Sequence, residues 1–116
     1  MQNPEDSLTS YVYCFVRRDL SLPQQVVQAC HACIEATRIL LPTDLVHPHL
    51  IILGARSEID LTCIAARLDR NQIQFRKFCE PDLGDQWTAL ATEPVSGDRR
   101  ALFKRYQCWT SSKQNS

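Results

Sequence analysis

The sequence has no net charge, no long apolar run and no internal repeat. Its 13 lysines and arginines balance 13 aspartates and glutamates, so bulk charge gives no reason to expect binding to a nucleic acid. No window is long and apolar enough to span a bilayer, and the N-terminal segment MQNPEDSLTS is polar and acidic, unlike a secretory signal peptide. These absences predict a cytoplasmic protein with no membrane contact.

What is present is the composition of one globular domain. The 116 residues fit one compact domain, and the shares of apolar residues (44%) and charged residues (22%) are ordinary for such proteins. We predict a polar N-terminal arm over residues 1–10, a single domain over residues 11–110 and a mobile polar tail over residues 111–116.

Six cysteines are many for this length. Without a secretory signal they are expected to be free thiols in a reducing compartment. The pair Cys30 and Cys33 has redox or zinc spacing, but it lies about two turns inside a predicted helix. We therefore expect Cys14, Cys30, Cys33 and Cys63 to be core residues. No metal site and no cofactor are predicted.

The stretch over residues 11–41 organises the chain. Residues 11–16 form an unbroken apolar run that is rich in aromatic and β-branched side chains, which is typical of a strand buried on both faces. Pro23 suits the first turn of a helix, where its missing N–H is no loss. Pro42 cannot continue that helix, so the helix is predicted to end near Leu41.

This helix carries one apolar and one polar stripe. The apolar stripe, which we expect to face the core, comprises Val26, Val27, Cys30, Cys33, Ile34, Thr37 and Leu41. The polar stripe comprises Gln24, Gln28, His31, Glu35 and Arg38. A polar stripe is usually a solvated face, but this one begins beside the charged end of the first strand.

Three further strands and two further helices follow. Residues 50–53 read as a second buried strand, residues 73–79 as a strand near an edge, and residues 88–92 as a fourth strand. Ser57 is a fair N-cap for a helix between the second and third strands. Residues 98–106 are predicted to form a short basic helix, with an extended piece after it.

The resulting order, β-α-β-α-β-β, predicts a three-layer α/β/α domain with a small mixed sheet of about four strands. Right-handed crossovers make the first three strands parallel, and the short loop before the fourth makes that strand antiparallel. Ligands of such sheets bind outside the carboxyl ends of the parallel strands. That edge is expected to gather Arg17, Arg18, Asp19, Gln24 and the loop over residues 80–86.

The first strand and helix carry a recognisable pattern. VRRDL, a short connection and then QACHA resemble the opening of the type II (archaeal and eukaryotic) peptidyl-tRNA hydrolases, whose pattern is Val-Arg-x-Asp-Leu, Gly-Lys and Gln-x-x-His-Ala. The matching positions are Val16, Arg17, Asp19, Leu20, Gln28, His31 and Ala32. Counting back from His31, the catalytic lysine of the family falls on Gln24 and its glycine on Pro23.

The loop before the last strand carries a second pattern. EPD followed by WTALATEP resembles the shorter branch of the family, the peptidyl-tRNA hydrolase domain-containing proteins. In that branch an acidic-proline loop leads into a threonine-rich strand, which makes Asp82 and Thr88 the equivalent positions. The resemblance covers residues 11–94.

The resemblance implies an ester hydrolase that releases a peptide from the 3′ ribose of its tRNA and needs no cofactor. Asp82 would orient or deprotonate the water, and Thr88 and Gln24 would position groups or donate hydrogen bonds. The implied catalytic positions are Asp82, Thr88, His31 and Gln24. The implied substrate-binding positions are Arg17, Arg18, Asp19 and Gln28, with the two arginines on the tRNA backbone.

A second hypothesis follows from the difference between this sequence and the family at Gln24. Gln24 is neutral and cannot supply the charge of the family lysine. The alternative is a non-catalytic module on the same fold, which holds tRNA, peptidyl-tRNA or a protein partner. The sequence leaves open whether the protein is a homodimer.

Overall fold

A computed structural model describes residues 9–109. The elements in chain order are β1 (Tyr11–Arg17), α1 (Leu22–Leu40), β2 (His49–Ala55), α2 (Glu58–Arg70), β3 (Phe75–Glu80), a 3₁₀ turn (Pro81–Leu83), β4 (Gln86–Thr92) and a 3₁₀ helix (Gly97–Arg105). The predicted tail and most of the predicted arm lie outside the described residues. None of the helices between residues 9 and 109 is both long and apolar enough to cross a bilayer.

The four strands form one mixed sheet in the order β2-β1-β4-β3. β1 runs parallel to β2, and β4 runs antiparallel to both β1 and β3. The first three strands therefore share one direction, and the fourth reverses it. This confirms the predicted α/β class, the element order and the mixed sheet.

The side chains of β1 alternate between two buried layers. Tyr13 and Phe15 face the layer formed by α2 and the Gly97–Arg105 helix, and Phe103 stacks on Tyr13 with ring centroids 3.7 Å apart. Val12 and Cys14 face α1 on the other side of the sheet. The strand is buried on both faces as predicted, and the three layers follow from this alternation.

The predicted core stripe of α1 is wrong for five of its seven residues, and only Cys33 and Leu41 pack against the core. Val26, Val27 and Ile34 are 51%, 45% and 55% exposed, and Cys30 and Thr37 are exposed as well. The residues of α1 that are buried are Gln25, Gln28, Ala29, Ala32 and Ala36. The helix is therefore turned away from the orientation that its larger apolar side chains suggest.

Small side chains explain this orientation. Ala29, Ala32 and Ala36 pack on the small residues Ala89 and Ala91 of β4 and on β1, and small side chains on both surfaces let a helix approach a sheet closely. A stripe chosen by size and hydrophobicity overlooks alanine, because alanine is a weak signal of burial in a sequence.

Two of the four cysteines expected in the core are not there. Cys14 is buried and Cys33 half-buried, but Cys30 and Cys63 are exposed. All six thiols of the chain are free. Cys30 is exposed because α1 turns a different face toward the sheet from the one predicted.

The prediction that the second strand is buried is confirmed only at its end, where Leu53 is 2% exposed. β2 is an edge strand, and Leu50 is 54% exposed. The chain after the 3₁₀ helix covers part of the free edge, since the Gly54 N–H donates to the Gln107 carbonyl at 3.0 Å and the Trp109 N–H donates to the Ile52 carbonyl at 2.9 Å. The extended piece predicted there is the segment that protects this edge.

Candidate functional site

Arg17 ties the carboxyl end of β1 to the start of β4. Its Nε and Nη2 each donate to the Asp19 carboxylate at 2.9 Å. Its Nη1 donates to Gln86 Oε1 at 2.9 Å and to the Trp87 carbonyl at 3.2 Å. Because most of its donors are used inside the protein, Arg17 holds the edge together and has little left for a tRNA phosphate.

The ion pair between Arg17 and Asp19 changes the pKa of both side chains. The hydrogen bond from Arg17 lowers the pKa of Asp19, and the same bond raises the pKa of Arg17. The Arg17 side chain is 9% exposed and that of Asp19 is 42% exposed. The bidentate geometry makes this pair stronger than an ordinary surface ion pair.

Replacing Asp19 by asparagine should lower stability by about 0.5–1 kcal/mol at pH 7, a modest amount because water screens the exposed carboxylate. Since the pKa of Asp19 is lowered on folding, its contribution is complete above its ordinary pKa of 3.8 and is lost as pH falls through the lowered value. Melting temperatures of both proteins at pH 7 and pH 2.5 check this. A difference in melting temperature that is the same at both pH values would contradict this prediction.

Arg18 lies across β2. A Cβ atom at Gly54 would be 2.5 Å from Arg18 Cδ, so a larger residue at this position would displace the Arg18 side chain. A backbone hydrogen bond also joins Arg18 to β2, because the Arg18 N–H donates to the Ala55 carbonyl at 2.8 Å. Gln25, buried under the turn, donates to the carbonyls of Arg18 and Leu20.

The polar stripe of α1 runs along β3. Glu35 lies 4.0 Å from Arg76 in an ion pair, the His31 ring stacks on Phe78 with centroids 4.4 Å apart, and Gln28 bonds Glu80. The side chains of the two elements can pair one to one because their spacings are similar: one helical turn rises about 5.4 Å, and two strand residues span about 6.6 Å. The stripe is therefore an interface with the edge strand rather than a freely solvated face.

Gln28 is the centre of a buried hydrogen-bond network. Its Nε2 donates to Gln24 Oε1 at 2.9 Å and to Glu80 Oε1 at 2.8 Å, and its Oε1 accepts from the Thr88 hydroxyl at 2.7 Å. Gln28 and Thr88 are fully buried. Both hydrogens and the oxygen of the amide are thus satisfied, as a buried amide requires.

The carboxylate of Glu80 fixes the orientation of two amides. If the Gln28 amide were flipped, its oxygen would face the Glu80 carboxylate, which is unfavourable. The Nε2 of Gln28 must therefore point to both Glu80 and Gln24. The oxygen of Gln24 accepts one of its hydrogens, which leaves the Nε2 of Gln24 without a hydrogen-bond acceptor among residues 9–109.

Glu80 is the carboxylate that the network engages. The hydrogen bond from Gln28 and a second one from the Asp82 N–H, 3.2 Å from Oε2, lower the pKa of Glu80, with a smaller contribution from His31. Asp82 is exposed, and its carboxylate forms no hydrogen bond or ion pair within the described part of the chain. Asp82 enters the cluster through its backbone alone.

The structure thus brings most of the expected residues to one edge. Gln24, Gln28 and Thr88 are joined directly, His31 stacks over the strand beside them, and Asp82 flanks them. Arg17 and Asp19 form a separate cluster at the end of β1, which meets β4 at Gln86, and Arg18 turns toward β2.

Sequence reasoning missed Glu80 and Gln25. Glu80 stands two residues before Asp82 in the acidic-proline loop, and it belongs to the strand rather than to the loop. The alternation of Arg76, Phe78 and Glu80 along β3 is the signal that places Glu80 on the face toward α1. Gln25 gives no comparable signal, because nothing in its neighbourhood separates a buried glutamine from an exposed one.

No protein-family model matches the sequence, and a search of curated proteins finds no match either. The resemblance to type II hydrolases is therefore carried by the quoted residues alone. Within residues 9–109 no group of three His, Cys, Asp or Glu side chains could hold a metal ion.

Proposed function

We propose that this protein hydrolyses the ester bond between a peptide and the 3′ ribose of its tRNA, and that it works without a cofactor in the cytoplasm, where its six free thiols stay reduced. The observation that carries the proposal is the arrangement around Gln28. This side chain holds the carboxylate of Glu80 and the amide of Gln24 at fixed positions beside each other.

The reaction needs a proton acceptor and a hydrogen-bond donor, and these two side chains have those properties. A water at Glu80 attacks the ester carbonyl carbon and gives a proton to the carboxylate. The carbonyl oxygen takes up negative charge, and the Gln24 Nε2 donates a hydrogen bond to it. The bond to the ribose oxygen then breaks, and that oxygen leaves with the proton returned by Glu80.

The other residues of the network act through these two. Gln28 and Thr88 are fully buried, so they are positioning residues that do not touch the substrate. His31 is exposed and lies near enough to Glu80 to favour its ionised form. The lowered pKa of Glu80 keeps its carboxylate ionised at neutral pH, so it can orient the water, accept its proton and stabilise the positive charge that develops on the attacking oxygen.

Replacing Gln24 by lysine should raise turnover about tenfold. A charged donor forms a hydrogen bond roughly twice as strong as a neutral one, and the difference of about 1.4 kcal/mol corresponds to one power of ten. The measurement is release of a labelled N-acetylaminoacyl group from tRNA under single-turnover conditions. The matched control is Gln72→Lys, an exposed glutamine far along the chain, which should leave turnover unchanged.

A binding module without turnover is the second candidate. Two observations favour it: the neutral side chain of Gln24 stands where the family has lysine, and the pKa of Glu80 is lowered away from the range of an efficient base. Activity that appears only in Gln24→Lys would identify this second function. Absence of turnover in both proteins, together with tight binding of N-acetylaminoacyl-tRNA, would identify it as well.

A further inference from the structure

A cleft of about 500 Å³ lies on the opposite face of the sheet from α1. Four arginines line it, together with one aspartate, and we call it the arginine cleft. Its charged residues are Arg56, Arg67, Arg70, Arg105 and Asp60. Tyr106 and Gln107 contribute an aromatic ring and an amide to the same wall.

Most of the positive charge in this cleft is not neutralised by the protein. Arg56 lies 3.6 Å from Asp60 in an ion pair. In the portion of the chain that the structure describes, Arg67, Arg70 and Arg105 form no ion pair. Three guanidinium groups therefore face one open cleft without a carboxylate of their own. Like charges brought together in this way repel each other, so an anion in the cleft would be stabilising.

The fold brings these arginines together from two separate segments. Arg67 and Arg70 are three residues apart and therefore lie on one face of α2, whereas Arg105 ends the 3₁₀ helix. Both Arg67 and Arg105 lie 5.9 Å from the centroid of the Tyr106 ring. That ring packs edge-on against Phe15 in the core, with centroids 5.0 Å apart, so the aromatic wall of the cleft is anchored to the core.

We propose that the arginine cleft binds the phosphodiester backbone of an RNA. The planar fork of arginine matches the geometry of a phosphate, and basic side chains beside an aromatic ring are the usual elements of a single-strand binding groove. A row of guanidinium groups in an open cleft suits successive phosphates of a polymer better than one small anion. The inference depends on the proposed function only for the identity of that RNA as tRNA.

The cleft and the Gln28 network lie on opposite faces of the sheet. Gly54 forms part of the cleft wall, and the side chain of Arg18 lies directly on Gly54. Arg18 in turn follows Arg17 at the carboxyl end of β1. Because Gly54 pairs with Val16, which faces α1, the side chain of Arg18 lies on the α1 side of the sheet and the cleft lies on the other side.

The test compares two double variants that remove the same charge. The double variant Arg67→Gln and Arg70→Gln removes two positive charges from the cleft but keeps most of the aliphatic part of each side chain. Arg38→Gln with Arg76→Gln removes two cations that flank Glu35 on the other face of the sheet. Fluorescence anisotropy measures binding of a labelled 20-nucleotide oligouridine and of deacylated tRNA at several salt concentrations, and circular dichroism verifies that each variant is folded.

The expected result is a loss of about tenfold or more in RNA affinity for the cleft variant and less than about twofold for the control. The slope of log affinity against log salt should also fall in magnitude by about 1.4 for the cleft variant on the single strand, at about 0.7 per phosphate contact. An equal loss in both variants would mean that only overall charge matters and would overturn the proposal.

Other anions are separate outcomes of the same test. Titration with inorganic phosphate and with uridine monophosphate, and sedimentation with phosphatidylserine vesicles, show whether the cleft takes a small anion or a membrane surface instead. Binding of either of these, with no binding of RNA by the wild type, would overturn the proposal. Because none of these measurements needs turnover, the cleft and the hydrolase can fail independently.

Discussion

Replacing Glu80 by glutamine should lower the turnover of N-acetylaminoacyl-tRNA by a factor of about 10²–10⁴. The substitution keeps the shape of the side chain and its hydrogen bond from Gln28, but it removes the group that accepts the proton of the water. The measurement is single-turnover release of the labelled aminoacyl group. The folded state should be retained, so a normal melting temperature accompanies the loss.

Asp82→Asn is the matched control for this prediction. It removes one carboxylate from the same loop, but the Asp82 side chain is exposed and only its backbone N–H bonds Glu80. We expect turnover to change by less than about threefold, because general-base catalysis requires contact with the reacting proton. If Asp82→Asn abolished turnover and Glu80→Gln did not, the assignment from the sequence resemblance would be right and the one made from the geometry wrong.

The pH profile gives an independent readout of Glu80. Because hydrogen bonds lower its pKa, the carboxylate stays ionised below its ordinary value of 4.5. The acid limb of the turnover profile should therefore lie below pH 4.5.

Replacing Gln28 by glutamate should cost about 3–5 kcal/mol of unfolding free energy at pH 8, the cost of an uncompensated buried charge. The new carboxylate would be fully buried and would face that of Glu80 across the present 2.8 Å contact. Two carboxylates so close cannot both ionise without penalty, so the pKa of the new side chain is raised in the folded state. The folded protein then binds more protons than the unfolded chain, and stability falls as pH rises.

Urea denaturation at pH 8 and pH 5 measures this effect. The deficit of Gln28→Glu should be largest at pH 8 and should shrink at pH 5, where the raised pKa keeps the new carboxyl protonated. Gln72→Glu introduces the same charge at an exposed position and should stay within about 0.5 kcal/mol of the wild type. Wild-type stability of Gln28→Glu at pH 8 would show that the network around Gln28 is open to water.

The sequence by itself determined the order and kind of the elements. The apolar run of β1, the N-cap at Ser57 and the partial alternation of β3 are local patterns, and each led to the right element or layer. Local chemistry decides such features, since a strand buried on both faces needs a continuous apolar run and a helix needs a cap wherever it begins. The same order led to the expectation that Arg17, Arg18, Asp19, Gln24 and the loop over residues 80–86 gather at one edge, but the structure divides these residues between two clusters and the side of β2.

Only the tertiary structure decided which face of α1 is buried. Val26 and Ile34 are the larger apolar residues, yet Ala29, Ala32 and Ala36 face the sheet because close packing on small β4 side chains favours them. This rotation turned Gln28 from a presumed surface residue into the buried centre of the site. The burial of a polar group depends on partners far along the chain, which no local pattern contains.

The same reason explains the choice of carboxylate and the arginine cleft. The sequence resemblance pointed to Asp82, and only the contact between α1 and β3 selects Glu80. Arg67 and Arg105 are 38 positions apart in the sequence, and they share a cleft because the last segment folds back along β2 and α2. The sequence therefore determined the residue types and the elements that carry them, and long-range packing decided which side chains meet.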